Sequence, residues 1–407
     1  MRILILEEAL QSGTGHWPVY LGDIARGLRQ AGDSVDLLAH RQADPALLQR
    51  LDATAWLSRS CWSDPRAQGQ LGGIRHALLF ARELRRWLRQ QRQPYHWICS
   101  LTMRLPHLLA YTLLVRSGQI PTGSRCLLLF VQGFGVDAGS GQPVRYPATP
   151  SNRLARWCFQ RLRASVQRGE LLLAAETAAM QQELASFSGL PVALFPHPVA
   201  MALPACSSPA ALANPGSRPI TITCPGFARY EKGSDLLLQA IRQLWSQPRF
   251  AQIHLVCQWP QPFAMPDGTM LSPAADLLND PRLELLNHNL DSFAYQSLLK
   301  RSDLIVLPYR RESYHNRVSR VAIEALMLGV PLLAMAGTWA AELSAISASA
   351  LLIEGESADH LAEALARAVD SLDGLTAQAS AQSTAVARFH SVDRFRDLLQ
   401  DGRYFTG

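Results

Sequence analysis

Residues 303–336 read DLIVLPYRRESYHNRVSRVAIEALMLGVPLLAMA. The opening apolar run, closed by Pro308, has the length and punctuation of a buried strand. Ser319 stands where an N-cap belongs, before a helix expected to begin near Arg320. Gly329 and Pro331 stop that helix, and PLLAMA supplies a second apolar run. Two strands without polar alternation, joined by a helix, are the pattern of a parallel unit buried on both faces. One residue resists the pattern. Glu324 is the sole charged side chain between Val321 and Ala341. A carboxylate in such surroundings is costly unless something pairs with it or hydrogen-bonds to it.

The same alternation extends in both directions. Upstream come PITITC, the loop PGFARYEKGS, the helical DLLLQAIRQLW and the strand QIHLVCQW, then RLELLNH and SFAYQSLLKR. The first half opens with a strand at Ile3 to Leu6, the turn QSGTGHWP and a helix over about Val19 to Gln30. SVDLLAH, WICSL and CLLLFVQG supply further strands. Residues 204–219, PACSSPAALANPGSRP, carry one charge and read as a linker or boundary loop. The expected fold class is α/β, with two Rossmann-like doubly wound parallel sheets facing a cleft. The expected divisions are a first domain over 1–203, the linker, a second domain over 220–386, and a C-terminal helical segment over 387–407. That last segment is placed where it could pack back on the first domain. Ligands of such sheets bind at the carboxyl ends of the strands, and a cleft between the halves is the default site.

Bulk properties exclude several classes. The 407 residues are 48% hydrophobic and 18% charged, as in an ordinary globular protein. Seven cysteines are scattered without a C-x-x-C pair, which suits reduced thiols in a cytosolic protein. No Cys/His cluster has ligand spacing along the chain, so no metal is expected. The N-terminal MRILILEEAL is broken by Glu7 and Glu8 and does not read as a signal peptide. The apolar region from Val321 to Ile353 is interrupted by Glu324, Gly329, Pro331 and Glu342, so no membrane span is expected. The expected location is cytoplasmic. Charge is uneven: residues 1–200 hold 22 Arg against 13 acidic side chains, whereas the whole chain nets +6. Between Ala138 and Gly169 there is no acidic residue, and NRLARWCFQRLRASVQR places Leu154, Trp157, Cys158 and Leu162 at helical spacing among arginines. LLFARELRRWLRQQR is a second basic stretch. Each is either a helix lying on an anionic membrane surface or a surface helix packed on a sheet, and the sequence leaves both open. Nucleic acid is not an expected partner.

Three constellations fall at strand ends. In CPGFARYEKGSDLLL, Arg229 and Lys232 precede a helix that Ser234 could cap, a good place for phosphate; an ordinary solvated loop has the same composition. Glu324, little more than one turn into its helix, could accept two hydroxyls of a ribose or sugar; a structurally satisfied acid is the alternative. SGTGHWP offers Gly15 for close backbone approach, but Pro18 replaces the third glycine of the dinucleotide fingerprint. His16, His107 and His197 also lie near strand–loop junctions. There is no D-x-D, G-x-S-x-G or P-loop motif.

These features in this order resemble the group 1 (family 4-like) glycosyltransferases with the GT-B fold, most closely from Pro225 to Glu356. GFARYEKG is similar to the family's Gly…Lys-Gly loop, so Lys232 matches the diphosphate-binding lysine. Phe227 stands where the family arginine usually does, and Arg229 is the substitute in the same loop. IEALMLGVPLLA matches the Glu-Ala…Gly-x-Pro run, which makes Glu324 the counterpart of the ribose-holding glutamate. The chain departs from the family's E-x7-E pair at Asn316, and from its His-Gly at Gln132.

The resemblance implies a retaining, metal-independent glycosyltransferase of hexosyltransferase type, with a nucleotide-sugar donor and no cofactor. Its acceptor would be a glycan, a lipid-linked sugar or a small molecule. Arg229, Lys232 and Asn316 would be catalytic. Gly15, Gly226, Ser319 and Glu324 would join them in binding donor, with His16, His107 and Gln132 on the acceptor side. Two rivals stay open: a non-catalytic sugar-binding or scaffold protein, and an epimerase on a similar fold. A nicotinamide oxidoreductase is disfavoured by the incomplete glycine fingerprint.

Overall fold

The computed structural model describes residues 1–13, 17–136, 144–201, 218–345 and 351–401. The chain forms two compact units, one of residues 1–200 with 390–407 and one of residues 201–389.

The first unit is built on strands β1 (Arg2–Glu7), β2 (Ser34–His40), β3 (Ala53–Leu57), β4 (Trp97–Met103), β5 (Arg125–Phe130), β6 (Leu171–Ala175) and β7 (Ala193–Leu194). They pair in the order β3-β2-β1-β4-β5-β6-β7, all parallel. Side chains alternate across the sheet, so Leu4, Leu6, Ile98 and Leu128 enter one core while Ile3, Ile5, Cys99 and Leu127 enter another. The last helix, Val392–Gln400, belongs to this unit and buries Phe395, Leu398 and Leu399. Trp97 Nε1 donates to the carbonyl of Leu399 at 3.1 Å, and Arg396 pairs with Asp33 at 2.6 Å. A Cβ on Gly27 would lie 2.8 Å from Val392, so glycine is what lets this helix seat. The crossing back from the second unit falls at 389–390, because the helix Leu372–Phe389 runs unbroken to its end.

The second unit carries β8 (Ile220–Cys224), β9 (Ile253–Gln258), a small antiparallel hairpin of β10 (Phe263–Ala264) and β11 (Met270–Leu271), β12 (Leu283–Leu286), β13 (Leu304–Leu307), β14 (Leu332–Met335) and β15 (Leu352–Ile353). The parallel order is β12-β9-β8-β13-β14-β15. The chain runs outward from β8 on one side and from β13 on the other. The order of strands therefore reverses between β8 and β13, the position at which open α/β sheets bind ligands.

The helix Pro150–Gln167 turns Ala155, Cys158, Phe159 and Leu162 into the core of the first unit. Its apolar face is thus spent on packing, and only its arginine face remains exposed. Among the described residues no helix is long and apolar enough to cross a membrane.

Candidate active site

The loop after β8 and the loop after β13 flank the reversal point of the second sheet; five of the sequence-derived candidates lie on them, and Glu324 on the helix that follows the second. Gly226 adopts φ +85°, where an L side chain is strained. A Cβ there would stand 2.6 Å from Lys232 Nζ, so the ammonium rests against bare backbone. Gly233 (φ +64°) brings the loop so close to β13 that a Cβ would meet the Pro308 carbonyl at 1.9 Å. Burial pushes the Lys232 ammonium down to about 8, with the Arg229 charge adding to the effect. Arg229 is exposed and pairs loosely with Glu231 at 3.5 Å. Ser234 is not the N-cap of the following helix: Gly233 holds that place in the left-handed conformation, and Ser234 Oγ instead accepts from Arg229 N–H at 3.1 Å. Phe227, Arg229, Pro262 and Phe263 line a cavity of about 340 Å³ beside the loop.

Arg310, just past β13, fastens this loop. Its guanidinium donates to Asp235 at 2.6 Å and to the Tyr230 carbonyl at 3.1 Å, and lies 3.9 Å from the Tyr230 ring centroid. Its backbone N–H donates to the Glu231 carbonyl. Sequence reading passes over Arg310, because nothing in the sequence pairs it with Asp235, 75 positions away.

The helix Arg320–Met327 begins as expected, with Ser319 as N-cap accepting from Ala322 N–H. Asn316 is buried in the turn before it, while Glu312 is exposed on the short helix Arg311–Tyr314. Glu324 is buried and paired: Arg320 Nε donates to Oε1 at 2.7 Å and Tyr295 O–H to Oε2 at 2.9 Å. Burial and the Glu324 charge hold the Tyr295 phenol well above its ordinary pKa, so it stays a donor.

On the first unit, Gly15 and His16 lie outside the described residues. Gln132 is exposed just after β5. His107 is buried, its Nε2 facing Glu8 at 3.2 Å. His197 is also buried; its Nδ1 and the Tyr20 hydroxyl both reach Glu176 Oε1, at 2.9 and 2.8 Å. Folding brings together side chains whose spacing along the chain shows no metal-ligand pattern. Glu8, Cys61, His76 and His107 bring one ligand atom each to within 4.8 Å of one another.

Residues 218–371 match the family model described as Glycosyl transferases group 1, a span that includes both candidate loops. No curated protein sequence matches the chain. Among solved structures, Anabaena HepE in complex with UDP and glucose aligns over 98% of each chain at 14% identity and TM-score 0.61. Sucrose-phosphate synthase from Thermosynechococcus elongatus aligns over 100% of this chain and 98% of its own, at 16% identity and TM-score 0.63. A glycosyltransferase from Rickettsia africae aligns over 99% and 97%, at 15% identity and TM-score 0.64. Residues 218–371 are therefore similar to a group 1 glycosyltransferase domain, and the chain as a whole has the GT-B fold.

Proposed function

We propose that this chain transfers a sugar from a nucleotide-sugar donor, with retention of configuration and without a metal ion. The donor belongs to the second unit and the acceptor, a glycan, lipid-linked sugar or small molecule, to the first. The observation that carries this reading is the placement of Lys232 over Gly226 at the strand-order reversal. When the bond between sugar and diphosphate breaks, its electron pair leaves with the diphosphate. A fixed ammonium there, with the Arg229 guanidinium beside it, stabilises charge as it develops. These two cations do the work that a bridging metal does at D-x-D sites, and the sequence has no D-x-D tripeptide. Asn316 and Ser319 would face the sugar or phosphate, and Glu324 the ribose.

HepE has been captured with UDP and glucose, and an Escherichia coli neighbour (14% identity, TM-score 0.63) with UDP-2-fluoro glucose. UDP-sugars are therefore the first donors to test. Release of UDP from UDP-glucose by the purified chain, stopped by Lys232→Ala, would support transfer. A second reading is favoured by Asn316 and by the existing partners of Glu324: a nucleotide-sugar-binding protein without turnover. It requires stabilisation by UDP-sugars with no UDP release from any donor–acceptor pair.

Attachment to anionic membrane belongs to the same proposal, on the second of the two basic stretches that the sequence suggested. The helix Gly69–Arg89 leaves Leu71, Ile74 and Leu78 exposed at i, i+3, i+7 spacing, followed by exposed Arg82, Arg85, Arg86 and Arg89.

A further inference from the structure

The first sheet reverses its strand order between β1 and β4, and a mixed cluster of side chains lies at that point. Glu8 directly follows β1, Cys61 follows β3, His76 lies on the helix Gly69–Arg89, and His107 opens the helix Leu105–Arg116 after β4. All four are buried, none more than 4% exposed. His76 Nε2 stands 2.9 Å from Glu8 Oε2, His107 Nε2 3.2 Å from Glu8 Oε1, and Cys61 Sγ 3.9 Å from His107 Nε2. A tetrahedral zinc ion with these donors separates them by roughly 3.2–3.8 Å.

We propose that Glu8, Cys61, His76 and His107 form a closed zinc site that ties together four segments at the carboxyl end of the first sheet. The donor chemistry selects the ion. One thiolate, two imidazoles and one carboxylate suit zinc, whereas calcium and magnesium take oxygen ligands. Charge also closes, because a dication balances one carboxylate and one thiolate in a buried place. A plain ion pair between Glu8 and the imidazoles leaves more unexplained. Both ring nitrogens of His76 and Oε2 of Glu8 are buried without an aligned hydrogen bond, which is rare for such groups. Nor does an ion pair involve the Cys61 thiol. Loading has one local cost. Arg104 N–H donates to His107 Nδ1 at 3.2 Å, which places the ring proton on Nε2; zinc moves that proton to Nδ1 and gives up this long bond. With four protein ligands no coordination position is open, so the ion is structural and separate from the donor chemistry of the second unit.

The test uses the whole chain, purified without metal-affinity resin or chelator. Elemental analysis should find about one zinc per chain, falling to under about a tenth in Cys61→Ser and His76→Gln. A strong chelator should lower the melting temperature of the wild-type chain, and added zinc should restore it. Cobalt loaded into the wild-type chain should give thiolate-to-cobalt charge-transfer absorption, a measurement that needs no variant to fold. Wild-type chain with neither bound zinc nor that absorption would overturn the proposal. Full absorption in Cys61→Ser would overturn it equally, by placing the ion elsewhere.

Discussion

Arg320 donates through Nε to Oε1 of Glu324 across one helical turn, at 2.7 Å, with both side chains largely buried. The lone carboxylate of the apolar helix is therefore paired within its own helix, and Tyr295 completes its hydrogen bonding. This arrangement changes what a substitution can reveal. Glu324→Gln should melt earlier whatever the role of the residue, since a charge-assisted bond worth roughly 1.5–3 kcal/mol is lost. The discriminating comparison is between ligands. A ribose-holding Glu324 predicts that Gln weakens UDP binding about tenfold while inorganic pyrophosphate binds as before. Calorimetric titrations showing both ligands weakened equally, or neither, would return Glu324 to a purely structural role.

Lys232 gives the pH dependence its sign. Burial lowers its ammonium to about 8, so the charged form that attracts diphosphate is depleted as pH rises through that value. UDP affinity should hold between pH 6 and 7 and then fall, by up to about tenfold per pH unit above 8. Binding at pH 8 should also be accompanied by proton uptake from buffer. Lys232→Arg, whose guanidinium does not titrate there, should flatten the profile even if its affinity is lower. A wild-type profile level to pH 9 would separate Lys232 from the phosphates.

Much of this was legible in the sequence, for identifiable reasons. Apolar runs such as Leu304–Leu307 and Leu332–Met335 are short, buried on both faces and punctuated by proline or glycine, so their order along the chain implied parallel sheets. Ser319 announced its helix because capping is local. β3 did not stand out, since it is an edge strand with a half-exposed pattern. The hairpin of β10 and β11 was too short to show a period. Partnerships were hidden wherever they depend on topology. Arg310 with Asp235, Tyr295 with Glu324, and Cys61 with His107 are 75, 29 and 46 positions apart, and only the folded sheets bring them together. The basic helix at Pro150–Gln167 was ambiguous for another reason: a face that fits a bilayer fits a sheet equally well.

Arg310 should be a positioning residue for the phosphate loop. Arg310→Ala removes the partner of a buried Asp235 carboxylate, whose Oδ1 already lacks a hydrogen bond. Breaking such a pair from one side costs about 3–5 kcal/mol. The melting temperature should fall sharply, and UDP affinity should fall with it because the Tyr230 carbonyl loses its anchor. Arg310→Ala paired with Asp235→Asn should recover part of the stability, since no buried charge is then left unpaired. UDP affinity should not return with it. Recovery of both together would mean that Arg310 serves the fold alone.

The exposed row of Leu71, Ile74 and Leu78 offers the sharpest test of membrane attachment, because it is separate from the sheet-packed face of the same helix. Phe80, Ala81, Leu84 and Leu88 point into the core. Changes at the exposed positions therefore touch no buried contact and should leave the melting temperature within a degree or so. If the row inserts into an anionic surface, the wild-type chain should float with vesicles rich in phosphatidylglycerol at low salt, and less at high salt as the arginines are screened. Leu71→Ser with Leu78→Ser should lose most of that binding, and Arg82→Glu with Arg85→Glu should lose nearly all of it. Neutral vesicles should recover little protein in any case. Equal flotation with neutral and anionic vesicles, or none with either, would leave these leucines as ordinary exposed apolar side chains on a helix that serves only the sheet beneath it.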